Sequence, residues 1–130
     1  MKTSSYHILR VGVAITFLWI GILIFRSPEA WGSMLQPWAA GLLPVPIRDA
    51  MIGTAFLDMA VGFFLLIDIV SWIAAAIGFI HIASVLVVTG ITEVTVRDIG
   101  LLTAAFALAI DALPFAFTQR LRKIFSSNAH

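Results

Sequence analysis

The amino-acid sequence predicts an all-α protein: an integral membrane four-helix bundle with a short interfacial helix between the first two spans. Three observations carry this expectation. Only 12% of the 130 residues are charged and 61% are hydrophobic, against roughly 25% charged in an ordinary soluble domain. Four apolar runs, residues 8–25, 47–69, 72–90 and 97–117, each reach the length of about 18 that crosses a hydrocarbon core roughly 30 Å thick. The one long connection, after Arg26, carries tryptophans and prolines suited to an interface. Little chain is left for anything else, so residues 1–130 read as a single membrane domain.

The first run follows Lys2 and Arg10 and so has the outline of a signal peptide. It is longer than an h-region of about 7 to 15 residues, and Phe25-Arg26-Ser27-Pro28 offers no small-x-small cleavage site. It is expected to be a retained helix. In the connection, Ser27-Pro28-Glu29 is a helix-start signal: a hydroxyl to cap, a proline where no amide is needed, and an acid at the positive dipole end. Trp31, Met34, Leu35 and Trp38 follow at helical spacing until Pro37 and Pro44-Val45-Pro46 break the pattern. Residues 28–42 therefore read as an interfacial helix with two indoles at headgroup depth; a lid over the bundle mouth is the alternative.

The second and third runs are joined by a tight turn near residues 68–71. The fourth opens on Arg97-Asp98, where Thr95 and Asp98 have the spacing of a capping box in an acidic variant. Arg48-Asp49 with Thr54-Ala55 recurs as Arg97-Asp98 with Thr103-Ala104, an echo that duplication of a helix pair would produce. An even number of spans puts both termini on one side. That side carries Lys2, Arg10, Arg120, Arg122 and Lys123 against Arg26, Arg48 and Arg97, so the positive-inside rule places the termini in the cytoplasm.

Composition also excludes chemistry. With no cysteine there is no disulfide relay, thiolate metal site or cysteine nucleophile. A net charge of +1 gives no basic patch for nucleic acid. His7, His81 and His130 fall near one surface, at mid-membrane and at the chain end, so no metal site is expected.

The ionisable groups inside the runs are the candidate site. A charge near the bilayer centre costs about 2.5 to 3.5 kcal/mol on insertion scales, so buried acids face the bundle and find partners. At 1.5 Å per residue, Asp58 lies about 16 Å from the start of its run and His81 about 14 Å from the end of the next. They share a depth on consecutive helices and form a candidate proton-handling pair; a static hydrogen bond that orients two helices is the alternative. Asp111, about 9 Å from the end of the fourth run, is within reach of Arg10, about 3 Å inside the first, and the two form a candidate structural ion pair. Arg48 and Arg97 stand at helix N-termini, where a cation opposes the dipole and needs another partner. Carboxylates nearby, lipid phosphates or a small anion would supply it. Trp19, Phe17 and Phe25 with Phe56, Phe63 and Phe64 could line a quinone pocket or simply pack. Small residues four apart, Gly12 with Thr16, Ala74 with Gly78 and Ala105 with Ala109, let helices approach closely.

Arg10 with Gly12 and Gly21 behind it, an acid followed by Gly62, and GITEVTVRDIGLLTAA together resemble the DoxX family of small four-helix membrane proteins, from about Leu9 to Phe117. The resemblance implies a four-helix bundle in the cytoplasmic membrane and links to redox homeostasis; the family's named member is a small subunit of a thiosulfate:quinone oxidoreductase. Asp58 stands where that family usually offers glutamate. The related vitamin K epoxide reductases work through cysteines, which this chain lacks. Three functions follow as expectations: a membrane subunit or partner of a quinone-linked oxidoreductase, a small transporter or proton conductor using Asp58, His81 and Asp111, or an assembly factor without a site. The implied cofactor is a quinone. The implied partners are the lipid bilayer, a soluble redox subunit and a second copy of the chain.

Overall fold

The computed structural model describes Met1 and residues 3–127; Lys2 and His130 lie outside the described residues. Among those described, the chain is helical without strands. The elements are α1 (Thr3–Arg26), α2 (Pro28–Gly32), α3 (Pro37–Gly41), α4 (Ile47–Ile67), α5 (Ser71–Thr89), a 3₁₀ turn (Thr95–Arg97), α6 (Asp98–Asp111) and α7 (Phe115–Ser127). Three of them, α1, α4 and α5, are long and apolar enough to cross a membrane, and a fourth crossing is available if the bent pair of α6 and α7 is one span. Large apolar side chains face outward, among them Ile15, Phe56, Phe63, Ile80, Val87 and Phe106, while Ala14, Ala55, Ala75 and Ala105 are wholly buried. Small inside and large outside is a surface for hydrocarbon rather than water, where so extensive an apolar patch is rare. It is compatible with a membrane protein.

Two departures from the expected boundaries have proline as their cause. The 28–42 segment is two five-residue helices rather than one. Gln36 is extended (ψ 146°), as a residue before proline tends to be, and Pro37 starts the second helix. The fourth run, expected over residues 97–117, is α-helical only from Asp98 to Asp111, and the chain turns by 94° before α7. Pro114 has no amide to continue the ladder. Fourteen residues rise about 21 Å, so Asp111 stands at the helix end and not at depth.

The most extensive contact is between α1 and α4. The α1 residues Arg10, Val13, Ala14, Phe17, Gly21 and Ile24 form its buried stripe, against Ala55, Asp58, Val61, Gly62 and Leu65 of α4. Two glycines set the distance. A Cβ on Gly21 would stand 2.8 Å from the Ala55 carbonyl oxygen, and one on Gly62 would stand 2.7 Å from that of Ala14. Each helix thus contributes one alanine and one glycine seven residues apart, crossed so that each glycine meets the other helix's alanine. Phe17, with no exposed surface, fills the junction with α5; a Cβ on Gly78 would lie 2.8 Å from its ring. The helix pair α5–α6 is the next contact in extent. Gly12 does not serve the packing expected of it, because a Cβ there would meet nothing within 4 Å.

Substitution of Gly62 by alanine is expected to lower the thermal unfolding temperature in mild detergent, by an amount matching the roughly 1 to 3 kcal/mol cost of overpacking. Gly12→Ala serves as the control and should leave it unchanged or raised, since alanine is the better helix former. Equal effects of the two changes in a thermal-shift series would show that the α1–α4 approach does not depend on Gly62.

Candidate functional site

Beyond Phe17, toward the end of the molecule covered by α2 and α3, the helices part around a cavity of about 650 Å³. Trp19 and Leu23 of α1, Thr54 and Asp58 of α4, and His81 and Val85 of α5 contribute to its walls, and Trp31, Met34 and Leu35 to its cover. That cover is tied to α5 by the Gln36 amide, which donates to the Val88 carbonyl at 2.9 Å. Gly90, ending α5 at φ 74°, leaves room for the Gln36 side chain, which would stand 2.7 Å from a Cβ there. Residues 28–42 therefore roof the cavity: Trp31 faces into it, while the exposed Trp38 indole donates to Gln36 Oε1 at 2.6 Å.

Asp58 and His81 meet in the cavity wall. Asp58 is 2% exposed, and its Oδ1 lies 3.1 Å from His81 Nε2. The two atoms stand at ion-pair distance from each other, and both are buried. Both residues contribute to the cavity wall, but these two atoms face each other and have almost no surface open to the cavity. They lie in the middle of otherwise apolar stripes, Ala55-Asp58-Val61-Gly62 on α4 and Ala74-Gly78-Ile82 flanking His81 on α5.

Arg97 and Asp98 also line the cavity. Sequence spacing assigned Asp98 to a cap, but the cap sits one turn earlier. Thr92 Oγ1 accepts from the Thr95 amide at 3.2 Å while the Thr92 amide donates to Thr95 Oγ1 at 2.8 Å, and Thr95 Oγ1 donates to the Gly90 carbonyl at 2.6 Å. This reciprocal threonine pair satisfies the helix start and leaves the half-buried Asp98 carboxylate free to face the cavity. The pattern Thr-x-x-Thr was visible in the sequence, but hydroxyl pairing is the weaker capping signal and the acid drew the assignment.

The other candidates separate. Arg48 is exposed and paired with Glu29 at 2.8 Å, whereas Arg97 donates from Nε to the Val94 carbonyl at 3.2 Å and lines the cavity. The two halves of the sequence echo are thus in different surroundings. Among the proposed aromatic lining, Trp19 is at the cavity and Phe17 is in the core; Phe25, Phe56, Phe63 and Phe64 face outward. Among the described residues no cluster of histidine and acidic residues could hold a metal ion.

Arg10 does not pair with Asp111. Asp111 stands at the end of α6 and accepts from the Met1 amino group at 2.8 Å. Arg10 instead closes the end of α4: its Nη1 donates to the Leu65 and Leu66 carbonyls, its Nη2 to His7 Nδ1 at 3.3 Å, and its Nε lies 3.5 Å from Asp68 Oδ1. A cation at the carbonyl end of a helix is favoured by the dipole. Asp68 itself turns the chain, in the left-handed conformation (φ 57°), with Ile69 N donating to the Phe64 carbonyl and Asp68 N to that of Leu65 in a Schellman arrangement. Its carboxylate accepts from the Ser71 hydroxyl at 2.6 Å and from Tyr6 at 3.2 Å. The signal for this partner was available: antiparallel neighbours bring the start of α1 beside the end of α4.

The Ser71 hydrogen bond, with the Arg10 charge and the Tyr6 hydroxyl adding to it against some burial, holds the Asp68 carboxyl below the usual carboxylate range. Its unfolded value is about 3.9. The folded value being the lower, its stabilisation is present in full above the unfolded value and is lost as pH falls through the folded one. Wild type and Asp68→Asn should therefore differ in unfolding temperature by a constant few degrees between about pH 5 and 7, with the gap closing toward pH 2. A gap that persists undiminished at about pH 2 would remove the carboxylate's charge from the account.

No family model, curated protein or solved structure matches the chain.

Proposed function

We propose that the chain is a multi-pass cell-membrane protein, a four-helix bundle in which the 3₁₀ turn and α6 together, Thr95–Asp111, make a short fourth crossing, and that its cavity holds an apolar ring compound of the quinone class. In this reading it is a membrane subunit or partner of a quinone-linked oxidoreductase, as its resemblance to the DoxX family implies. One observation carries the proposal: a predominantly apolar cavity of about 650 Å³, within the roughly 300 to 1,000 Å³ of small-molecule sites, whose wall includes the Asp58 carboxylate and the His81 imidazole, paired at 3.1 Å.

A quinone, when bound, supplies two-electron, two-proton chemistry, with the electrons coming from a separate redox subunit. The chain's own residues handle protons and position. Apolar walls and the cover of α2 and α3 exclude water. Asp58 and His81, with Oδ1 and Nε2 3.1 Å apart, can pass a proton between them and on to a polar atom in the cavity. Asp98 and Arg97 line the same cavity. A conducting track through Asp58, His81 and Asp111 has less support. Phe17, Val61 and Leu65 pack tightly in the core along α1 and α4 beyond Asp58, and Asp111 is at a helix end.

Orientation follows from charge: Arg10, Arg120, Arg122 and Lys123 mark the cytoplasmic side, and Arg26, Arg48 and Arg97 the other, with α2 and α3 over the outer mouth.

Purified full-length chain titrated with a short-tailed benzoquinone should show saturable quenching of tryptophan emission, weakened about tenfold or more in Thr54→Phe, which fills the cavity. Asp58→Asn should fold, bind, and fail to support quinone-dependent turnover in membranes that contain the redox partner. Linear, unsaturable quenching equal in wild type and Thr54→Phe would remove the ligand from the cavity, and full turnover by folded Asp58→Asn would reduce the pair to packing. The topology is tested separately: single cysteines at Trp38, Thr3 and Gln119 should react with an impermeant maleimide in intact cells only at Trp38. Labelling at Thr3 or Gln119 without permeabilisation would reverse the orientation.

A further inference from the structure

Helix α7 takes no part in the cavity and buries none of its residues. Its sequence, FAFTQRLRKIFSS, nevertheless sorts by face, with Phe115 in the first turn the one large apolar side chain on the polar side. With about 100° per residue, Phe117, Leu121, Ile124 and Phe125 fall within one sector of roughly 100°. Arg120 and Arg122 flank its two edges, Lys123 lies on the far side with Gln119 and Ser126, and the helix contains no acid. The four apolar side chains are exposed, Ile124 by 57% and Phe125 by 74%.

We propose that α7 is an anchor that lies along an anionic phospholipid leaflet, its apolar sector in the acyl boundary and its three basic side chains on lipid phosphates. Three observations select this occupant over a protein. The 94° turn after α6 sets α7 across the direction of the helix it follows, so a helix leaving a membrane crossing at Asp111 runs along the interface plane. Basic residues stand at both edges of the apolar sector, where long side chains can bury their stems and reach phosphate. All three charges are of one sign, which complements an anionic leaflet and is worth about fivefold in binding per residue near such a surface. The inference rests on the membrane reading of the long helices and is independent of what the cavity binds.

The chain has no cysteine, so single cysteines at Ile124 and Gln119, on opposite faces of α7, can each carry an environment-sensitive fluorophore. The full-length protein is reconstituted into vesicles of phosphatidylcholine, with or without about a third phosphatidylglycerol, and with a lipid bearing a shallow nitroxide quencher. In the anionic vesicles the Ile124 site should be quenched at least twofold more than the Gln119 site. That difference should shrink in phosphatidylcholine alone, at high salt, and when Arg120, Arg122 and Lys123 are all changed to glutamine. Equal quenching at the two sites, or a difference indifferent to phosphatidylglycerol and to the triple change, would overturn the proposal. Shielding of Ile124 that grows with the protein-to-lipid ratio would also overturn it, since a second copy would then be the occupant. Release of the protein from cell membranes by alkaline carbonate would remove the membrane reading itself, and is read in a different assay.

Discussion

The close approach of α1 and α4 governs the rest of the molecule. Where Gly62 meets Ala14 and Gly21 meets Ala55, the helices stand too near for a side chain on either glycine, and that proximity fixes the register of every pair along the seam. One turn from the Gly62 contact, it places Arg10 against the last carbonyls of α4. One turn the other way, it places Asp58 in the buried stripe rather than on the surface. In hydrocarbon there is no hydrophobic drive to bring helices together, so contact depends on close van der Waals packing and polar contacts. The seam supplies both, and the cavity opens where it ends.

The energetic logic of Asp58 differs from that of its neighbours. Replacing a buried ionisable pair by apolar groups of similar volume is often neutral or stabilising. Asp58 and His81, 3.1 Å apart beside unfilled volume, are therefore not accounted for by stability alone.

How much of this could be read from the sequence depended on what each feature required. Four apolar runs were legible because length and hydropathy are local, and three of the helices begin and end within a few residues of the runs. The shared depth of Asp58 and His81 was legible from the rise per residue alone. Asp111 failed for the same arithmetic: its depth was counted from Phe117, but Pro114 had already ended the helix, and the apolar residues beyond it belong to α7. Arg10 found Asp68 because a turn residue in a left-handed conformation can aim its carboxylate back at α1, and a turn's conformation is poorly legible without its tertiary partners. Gly21 and Gly62 were named in the sequence but their function was not, since only the crossing of two helices distinguishes a packing glycine from Gly12, which packs against nothing.

The two ends of the molecule use polar residues in opposite ways, and the contrast separates structure from site. At the Arg10 end the polar groups mostly satisfy one another, Arg10 Nε alone being left at 3.5 Å from Asp68 without a hydrogen bond. Asp68 accepts from two hydroxyls beside a guanidinium, and Arg10 in turn satisfies carbonyls that α4 leaves unpaired. Such a network rigidifies and has little capacity left to bind anything else. At the end covered by α2 and α3, four ionisable side chains, Asp58, His81, Arg97 and Asp98, converge on one cavity, Asp58 and His81 as an ion pair. The Thr92–Thr95 cap is what keeps Asp98 in that second group, by taking over the duty its position in the sequence would have given it. The α1–α4 seam holds the Arg10 network and the cavity at a fixed distance from each other.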